Sequence, residues 1–127
     1  FTWAEEGLFL VEDLGTRWER ETGVPLPLGG ILARRDLKQE TLARIQRVIR
    51  SSIVYGLEHR EETLPTMRKY AQEFNDKVLM AHVDLYVNDW TVELGEEGRN
   101  ALSVLSQKAI EQRIMSPSQA AIEVYQP

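Results

Sequence analysis

The chain contains no cysteine. Disulfides, thiolate catalysis and cysteine-ligated metals are excluded with it, and a reducing cytoplasm is the compartment that fits. Imidazole is nearly as scarce, His59 and His82 being the two histidines among 127 residues. Lying far apart and without acidic residues at ligand spacing, they make a poor metal site, so no metal is expected. There is no phosphate loop, no nucleotide fingerprint and no nucleophile elbow. No apolar run approaches the roughly 20 residues a membrane helix needs, and no charged-then-apolar opening resembles a signal peptide, so no membrane partner is expected. Positive charge is also short. Fifteen basic residues stand against twenty acidic ones, leaving a net charge of −5. Nucleic acid is not an expected partner, because phosphate binding needs a basic face.

Hydrophobic residues make up 43% of the chain and charged residues 28%. A packed core is feasible, and the size suits one domain or part of one. The opening Phe1-Thr2-Trp3 is apolar where a terminus is ordinarily frayed and polar, so a start partway through a longer protein is expected.

The most informative stretch runs from Thr22 to Arg35 (TGVPLPLGGILARR). Pro25 and Pro27 fix φ and donate no N–H, so neither belongs in a central ladder. Gly29-Gly30 permits a sharp turn or a close approach to bare backbone. Ile31-Leu32-Ala33 reads as a short buried strand. Two descriptions fit: an ordinary bulged strand entered through a proline turn, or a crossover between lobes with a ligand pressed against the glycines.

Elsewhere Leu8-Phe9-Leu10-Val11 reads as a buried strand or the start of a helix. A short helix is predicted over Thr16 to Thr22, stopped by Gly23, with Glu12 and Asp13 near its start and Leu14 and Trp18 on one face. Asp36 and Gln39 have capping-box spacing. Leu42, Ile45, Ile49, Ile53 and Leu57 then predict an amphipathic helix from about 37 to 57. Pro65 suits a first turn, so the next helix should start near Thr63, with Leu64, Met67, Tyr70 and Phe74 on its apolar face. Asn75-Asp76 caps a third helix carrying Val78, Leu79, His82, Val83 and Tyr86, which stops near Asn88-Asp89. Residues 90–94 form an extended link. Gly95 precedes a last long helix ending at Ser116-Pro117, and residues 120–127 form a short strand or a tail. The first third is therefore mixed α/β and the rest mostly helical. The few short strands lack partners to close a sheet.

Each candidate for chemistry has a plainer role. Arg44, Arg47 and Arg50 read as a solvated face before an anion site. His82 shares its face with Leu79 and Val83 and reads as packed in the core. His59 reads as a surface or capping residue. The pairs Glu5-Glu6, Glu61-Glu62 and Glu96-Glu97 suit helix starts, where the macrodipole favours them. Asn88 reads as a C-terminal cap. No catalytic constellation emerges.

Asp13-Leu14-Gly15, Trp18-Glu19, the string Thr22 to Ile31 and Arg34-Arg35-Asp36-Leu37 together resemble the 1,4-dihydroxy-6-naphthoate synthases of the futalosine route to menaquinone. His82-Val83, Tyr86-Val87-Asn88 and Leu94-Gly95-Glu96-Glu97-Gly98 follow in the same order. The resemblance runs to about Ala109. It implies an α/β chain, part of a two-lobed fold like the type II periplasmic binding proteins, with its C-terminal two-thirds mainly helical. Residues 1–25 would end the smaller lobe, 26–35 form the hinge crossover and 36–127 the C-terminal helical part of the larger lobe. It further implies a lyase that converts cyclic dehypoxanthine futalosine to 1,4-dihydroxy-6-naphthoate, with no metal or organic cofactor. The family's general base is a histidine in a His-Glu motif expected just upstream of Phe1, so no catalytic residue is assigned here. Leu28, Gly29 and Gly30 would line the substrate cleft. This chain alone is expected to be inactive.

Two readings of other classes stand beside the enzyme. A solute-binding protein of the same fold would hold its small molecule without turnover. A helical interaction module would pack its apolar helix faces on a partner. Burial of the apolar edge left by a missing half would also drive a homo-oligomer.

Overall fold

The computed structural model describes residues 3–71, 75–118 and 122–126. Among these, six helices form and no strand. They belong to two compact units, one running Ile31–Glu93, the other combining Thr2–Gly30 with Leu94–Gln126.

In the second of these units α1 spans Leu14–Thr22, starting two residues ahead of the predicted Thr16. Asp13 is its N-cap, its carboxylate accepting from the Thr16 N–H at 2.8 Å. The predicted stop holds, with Gly23 at φ 72 donating its N–H to the Glu19 carbonyl at 2.8 Å. Val24, just beyond, is buried. Leu8–Val11 takes no regular form, and Glu5-Glu6 lies in a turn rather than at a helix start. That turn closes with Leu8 N–H to the Trp3 carbonyl at 2.9 Å.

The same unit holds α6, Gly95–Glu111. Glu96 and Glu97 occupy its first turn as predicted. It ends well before Ser116-Pro117. Arg113 adopts φ 59, and the Ile114 N–H reaches back to the Ala109 carbonyl at 2.8 Å, a left-handed closure that stops the helix without glycine. Ala101 and Ser106 are buried, the Ser106 hydroxyl donating to the Leu102 carbonyl at 2.9 Å.

The other unit is built on α2, Gln39–Glu58, packed against α3, Arg60–Tyr70, and against the short α5, Asp89–Val92. The capping box expected of Asp36 is not made. Lys38 is the N-cap and gives no side-chain bond, while Asp36 pairs with Arg34 at 2.5 Å. The helix expected near Thr63 begins earlier, at Arg60, because His59 serves both as C-cap of α2 and N-cap of α3. Pro65 therefore sits inside the helix, where it cannot donate to the Glu61 carbonyl. Asn75 caps α4, Asp76–Tyr86, accepting from Lys77 N–H at 2.9 Å and Val78 N–H at 3.4 Å. The link expected over 90–94 is partly helical, since α5 nucleates on a capping box formed by Asn88 and Thr91. Arg50 ties α5 to α2 through the Val92 carbonyl at 3.1 Å and Glu93 at 3.0 Å.

The strands expected at 8–11 and 31–33 are not formed. Both segments take no regular form, and no described neighbour completes a ladder. Phe74 and residues 120, 121 and 127 lie outside the described residues, and 122–126 take no regular form. Burial is thin. Val24, Leu79 and Ala101 are the buried hydrophobic residues among those described. The chain exposes 10483 Å².

Candidate functional site

Sequence reasoning singled out the run through Leu28, Gly29 and Gly30. Thr22 anchors its start, its hydroxyl donating to the Trp18 carbonyl at 2.8 Å and lying 3.4 Å from the Val24 N–H. The chain then continues without regular structure. Pro25, Leu26 and Pro27 are half-buried, whereas Leu28 is 61% exposed and both glycines are exposed. Neither Gly29 nor Gly30 takes a left-handed φ, so the sharp turn that the pair permits is not used. A Cβ built on either would meet nothing within 4 Å. The stretch is open backbone, and the boundary between the two units falls just after Gly30.

Neither histidine joins a catalytic arrangement. His59 sits at the α2–α3 corner as expected. Its ring stacks on Tyr55 with centroids 4.1 Å apart, and Nδ1 lies 3.0 Å from the Tyr55 carbonyl. A carbonyl can only accept, so Nδ1 carries the proton of that bond. The Tyr55 hydroxyl donates to Glu62 at 2.7 Å, which pushes the phenol above its ordinary range. His82 is not in the core. It is exposed and stacks on Tyr86 with centroids 6.0 Å apart, because α4 turns Leu79 inward and presents His82 outward. Asn88 is an N-cap of α5, not a C-terminal cap of α4. Arg44, Arg47 and Arg50 are exposed, as a solvated face requires.

Sequence reasoning missed a small cavity of about 200 Å³ in the 31–93 unit. Its lining includes Ile53 and Gly56 of α2, Thr63 and Met67 of α3, and Met80 and Val83 of α4. Only the Gly56 position, where a bare helix backbone faces α3, hinted at such a gap. At its edge Arg60 pairs with Asp84 at 2.5 Å. Farther along, Arg68 holds Asp76, and that hydrogen bond keeps the Asp76 carboxyl below the usual range. These charges are spent on one another at the surface. No nucleophile with a base and an orienting partner emerges, and no cluster of three metal-ligating side chains occurs among the described residues. No helix there is long and apolar enough to cross a membrane.

Comparison with known proteins supplies what the geometry lacks. The chain is 46% identical over 118 residues to a protein of Thermus thermophilus named 1,4-dihydroxy-6-naphtoate synthase, a span of 93% of this chain and 43% of the relative. It is 38% identical over 109 residues to a protein of the same name from Streptomyces coelicolor, covering 86% of this chain and 39% of the relative. The chain thus spans about two fifths of the length of these curated relatives. The model of one family, described as menaquinone biosynthesis, matches residues 1–111, and the chain belongs to that family.

Proposed function

We propose that this chain is part of a carbon–carbon lyase that converts cyclic dehypoxanthine futalosine to 1,4-dihydroxy-6-naphthoate in menaquinone biosynthesis. The observation that carries the reading is the family match over residues 1–111, joined to 46% identity with a relative bearing the synthase name. The complete molecule has the two-lobed α/β fold of the type II periplasmic binding proteins and works in the cytoplasm. Within it, residues 1–25 end the smaller lobe, 26–35 form the hinge and 36–127 belong to the larger lobe.

The substrate lies against Leu28, Gly29 and Gly30. The exposed Leu28 side chain and the bare backbone beside it support this, since a ligand can approach the two glycines without meeting a Cβ. The general base comes from the portion of the enzyme that this chain does not span. A base must reach its proton within about 3 Å, directly or through one water. His59 is committed to the Tyr55 stack and His82 to Tyr86, and neither is near Leu28 in sequence or shares a described contact with it. The chain alone is therefore inactive.

Gly30→Val in the full-length enzyme tests the binding role. The position is unstrained and open, so the new side chain harms nothing in this chain itself. KM should rise about tenfold or more while the thermal midpoint holds. Unchanged KM and kcat would remove Gly30 from the site, and turnover by the purified 127-residue chain would remove the need for an outside base.

A further inference from the structure

The cavity of about 200 Å³ in the 31–93 unit has no part in the function proposed above. Its walls are mostly apolar, with Ile53 and Leu57 from α2, Met67 from α3, and Met80, Val83 and Val87 on and just after α4. Gly56 supplies width, because the helix carries no side chain where it faces Thr63. The Thr63 hydroxyl is turned to backbone, donating to the Arg60 carbonyl at 2.6 Å. A water settles in a cavity only with two to four polar partners, and beyond Arg60 these walls offer few, so an apolar occupant is favoured. A dry apolar cavity of about 150 Å³ is enough for benzene. The space here therefore takes one aromatic ring with a small substituent. Methionine sulfur favours aromatic neighbours, and two methionines line it.

Among the described residues one charged side chain lines this space, Arg60. Its pairing is incomplete. Arg60 Nη2 meets a single oxygen of Asp84 at 2.5 Å. Arg34, by contrast, gives Nε and Nη2 to the two oxygens of Asp36, and Arg68 does the same to Asp76. A guanidinium carries five N–H donors in a rigid fork that matches a carboxylate. Arg60 Nε and Nη1 make no side-chain bond among the described residues, so donors remain for a second carboxylate. We propose that the cavity is a binding site for a small aromatic carboxylate, its ring among Ile53, Met67, Met80 and Val83 and its carboxylate on Arg60. Each half of the ligand answers a different feature of the wall. An uncharged ring leaves the free guanidinium donors unused, and an aliphatic acid forgoes the ring contact with the two sulfurs. Leu28, Gly29 and Gly30 contribute nothing to the lining, and the site does not rest on the reaction proposed for them.

Benzoate is the probe, titrated into the full-length enzyme carrying isotope-labelled methionine methyl groups and followed by NMR. The chain has three methionines, and Met115, in the other unit, is the internal control. The Met67 and Met80 methyl signals should shift saturably, with Kd on the order of 1 mM, while Met115 stays in place. Arg60→Gln should weaken binding by about fivefold or more. Asp84→Asn should tighten it by about twofold or more, because it removes the carboxylate that competes for the fork. Both side chains are partly exposed, so neither change should move the thermal midpoint by more than about 3 °C. Toluene and cyclohexanecarboxylate, each lacking one half of the ligand, should both bind at least about fivefold more weakly than benzoate. Met67 and Met80 signals that ignore benzoate overturn the proposal. So do shifts that survive Arg60→Gln unchanged, an Asp84→Asn variant that binds no tighter, and either analogue binding as well as benzoate. Gly30→Val, aimed at the substrate stretch, should leave these shifts unaltered, so this site and that reading fail separately.

Discussion

Gly56→Ala should stabilise the 31–93 unit. Gly56 lies in the last turn of α2, with an ordinary helical φ, and faces α3. A Cβ there would stand 3.6 Å from Thr63 Cγ2, which is van der Waals contact and not a clash. Replacing a helical glycine by alanine gains about 1 kcal/mol, mainly by removing conformations from the unfolded chain. The half-buried methyl adds half of a fully buried CH₂, about 0.4 kcal/mol, against Thr63 and the neighbouring cavity wall. A total near 1–1.5 kcal/mol should raise the melting midpoint by about 4–8 °C, read by far-UV circular dichroism. The urea midpoint should rise with an unchanged slope. Gly98→Ala provides the contrast. Gly98 is also helical, but its Cβ would lie 2.7 Å from Leu94 Cγ. Leu94 would have to leave its rotamer, at about 0.5–1.5 kcal/mol, which offsets the helical gain. The same substitution should therefore stabilise at Gly56 and be neutral or destabilising at Gly98. Equal effects at the two sites would refute the reasoning, since backbone propensity alone would then decide both.

Two further outcomes follow from helix ends. Asn75→Ala removes the acceptor for Lys77 and Val78 N–H and should cost about 1 kcal/mol, with Asn75→Asp retaining most of it in the same melt. Acid should loosen the start of α1. The hydrogen bond from Arg20 holds the Glu12 carboxyl below its ordinary range, and the Thr16 N–H does the same for Asp13. Both groups have folded values below their unfolded ones, so their stabilisation is present at neutral pH and lost as pH falls below about 4. The Thr16 amide shift should report this on titration. Salt should weaken the exposed Glu12 bridges, and an α1 start that is indifferent to acid would contradict both assignments.

The helices were legible because their signals are local. Gly23 and Asn75 mark boundaries that the structure keeps, and the apolar repeat from Leu42 to Leu57 falls within α2. The misreadings share a cause, which is that one residue can serve two elements. His59 ends one helix and starts another, so α3 begins earlier than Pro65 suggests. Asn88 follows α4 but caps α5. Asp36 had the spacing for a cap, yet Arg34 lies closer in the chain and takes the carboxylate. His82 was placed in the core by the periodicity of its neighbours. A helix of 11 residues turns its i+3 and i+4 positions through different angles, and Leu79 alone reached the interior.

The candidate site was legible in a different way. Proline and glycine at 25, 27, 29 and 30 announced bare backbone, and the structure leaves that backbone open, but nothing in the chain's own physics identifies what lies against it. The same holds for Leu8–Val11. Its composition argues for burial, and in this chain it is exposed. Composition and exposure disagree there. A sequence encodes the environment of each residue in the whole molecule, so a stretch whose composition and exposure disagree points to surroundings that lie elsewhere. Along α2 the disagreement is milder, since Leu42, Ile49, Ile53 and Leu57 are half-buried against neighbours in their own unit while Ile45 is 38% exposed and Val48 69%. Other large apolar side chains are exposed too, Leu14 at 74%, Val48 at 69% and Ile114 at 79% among them, but the disagreement is sharpest at Phe9, Val11 and Leu32, at 91%, 98% and 89%, in segments that take no regular form.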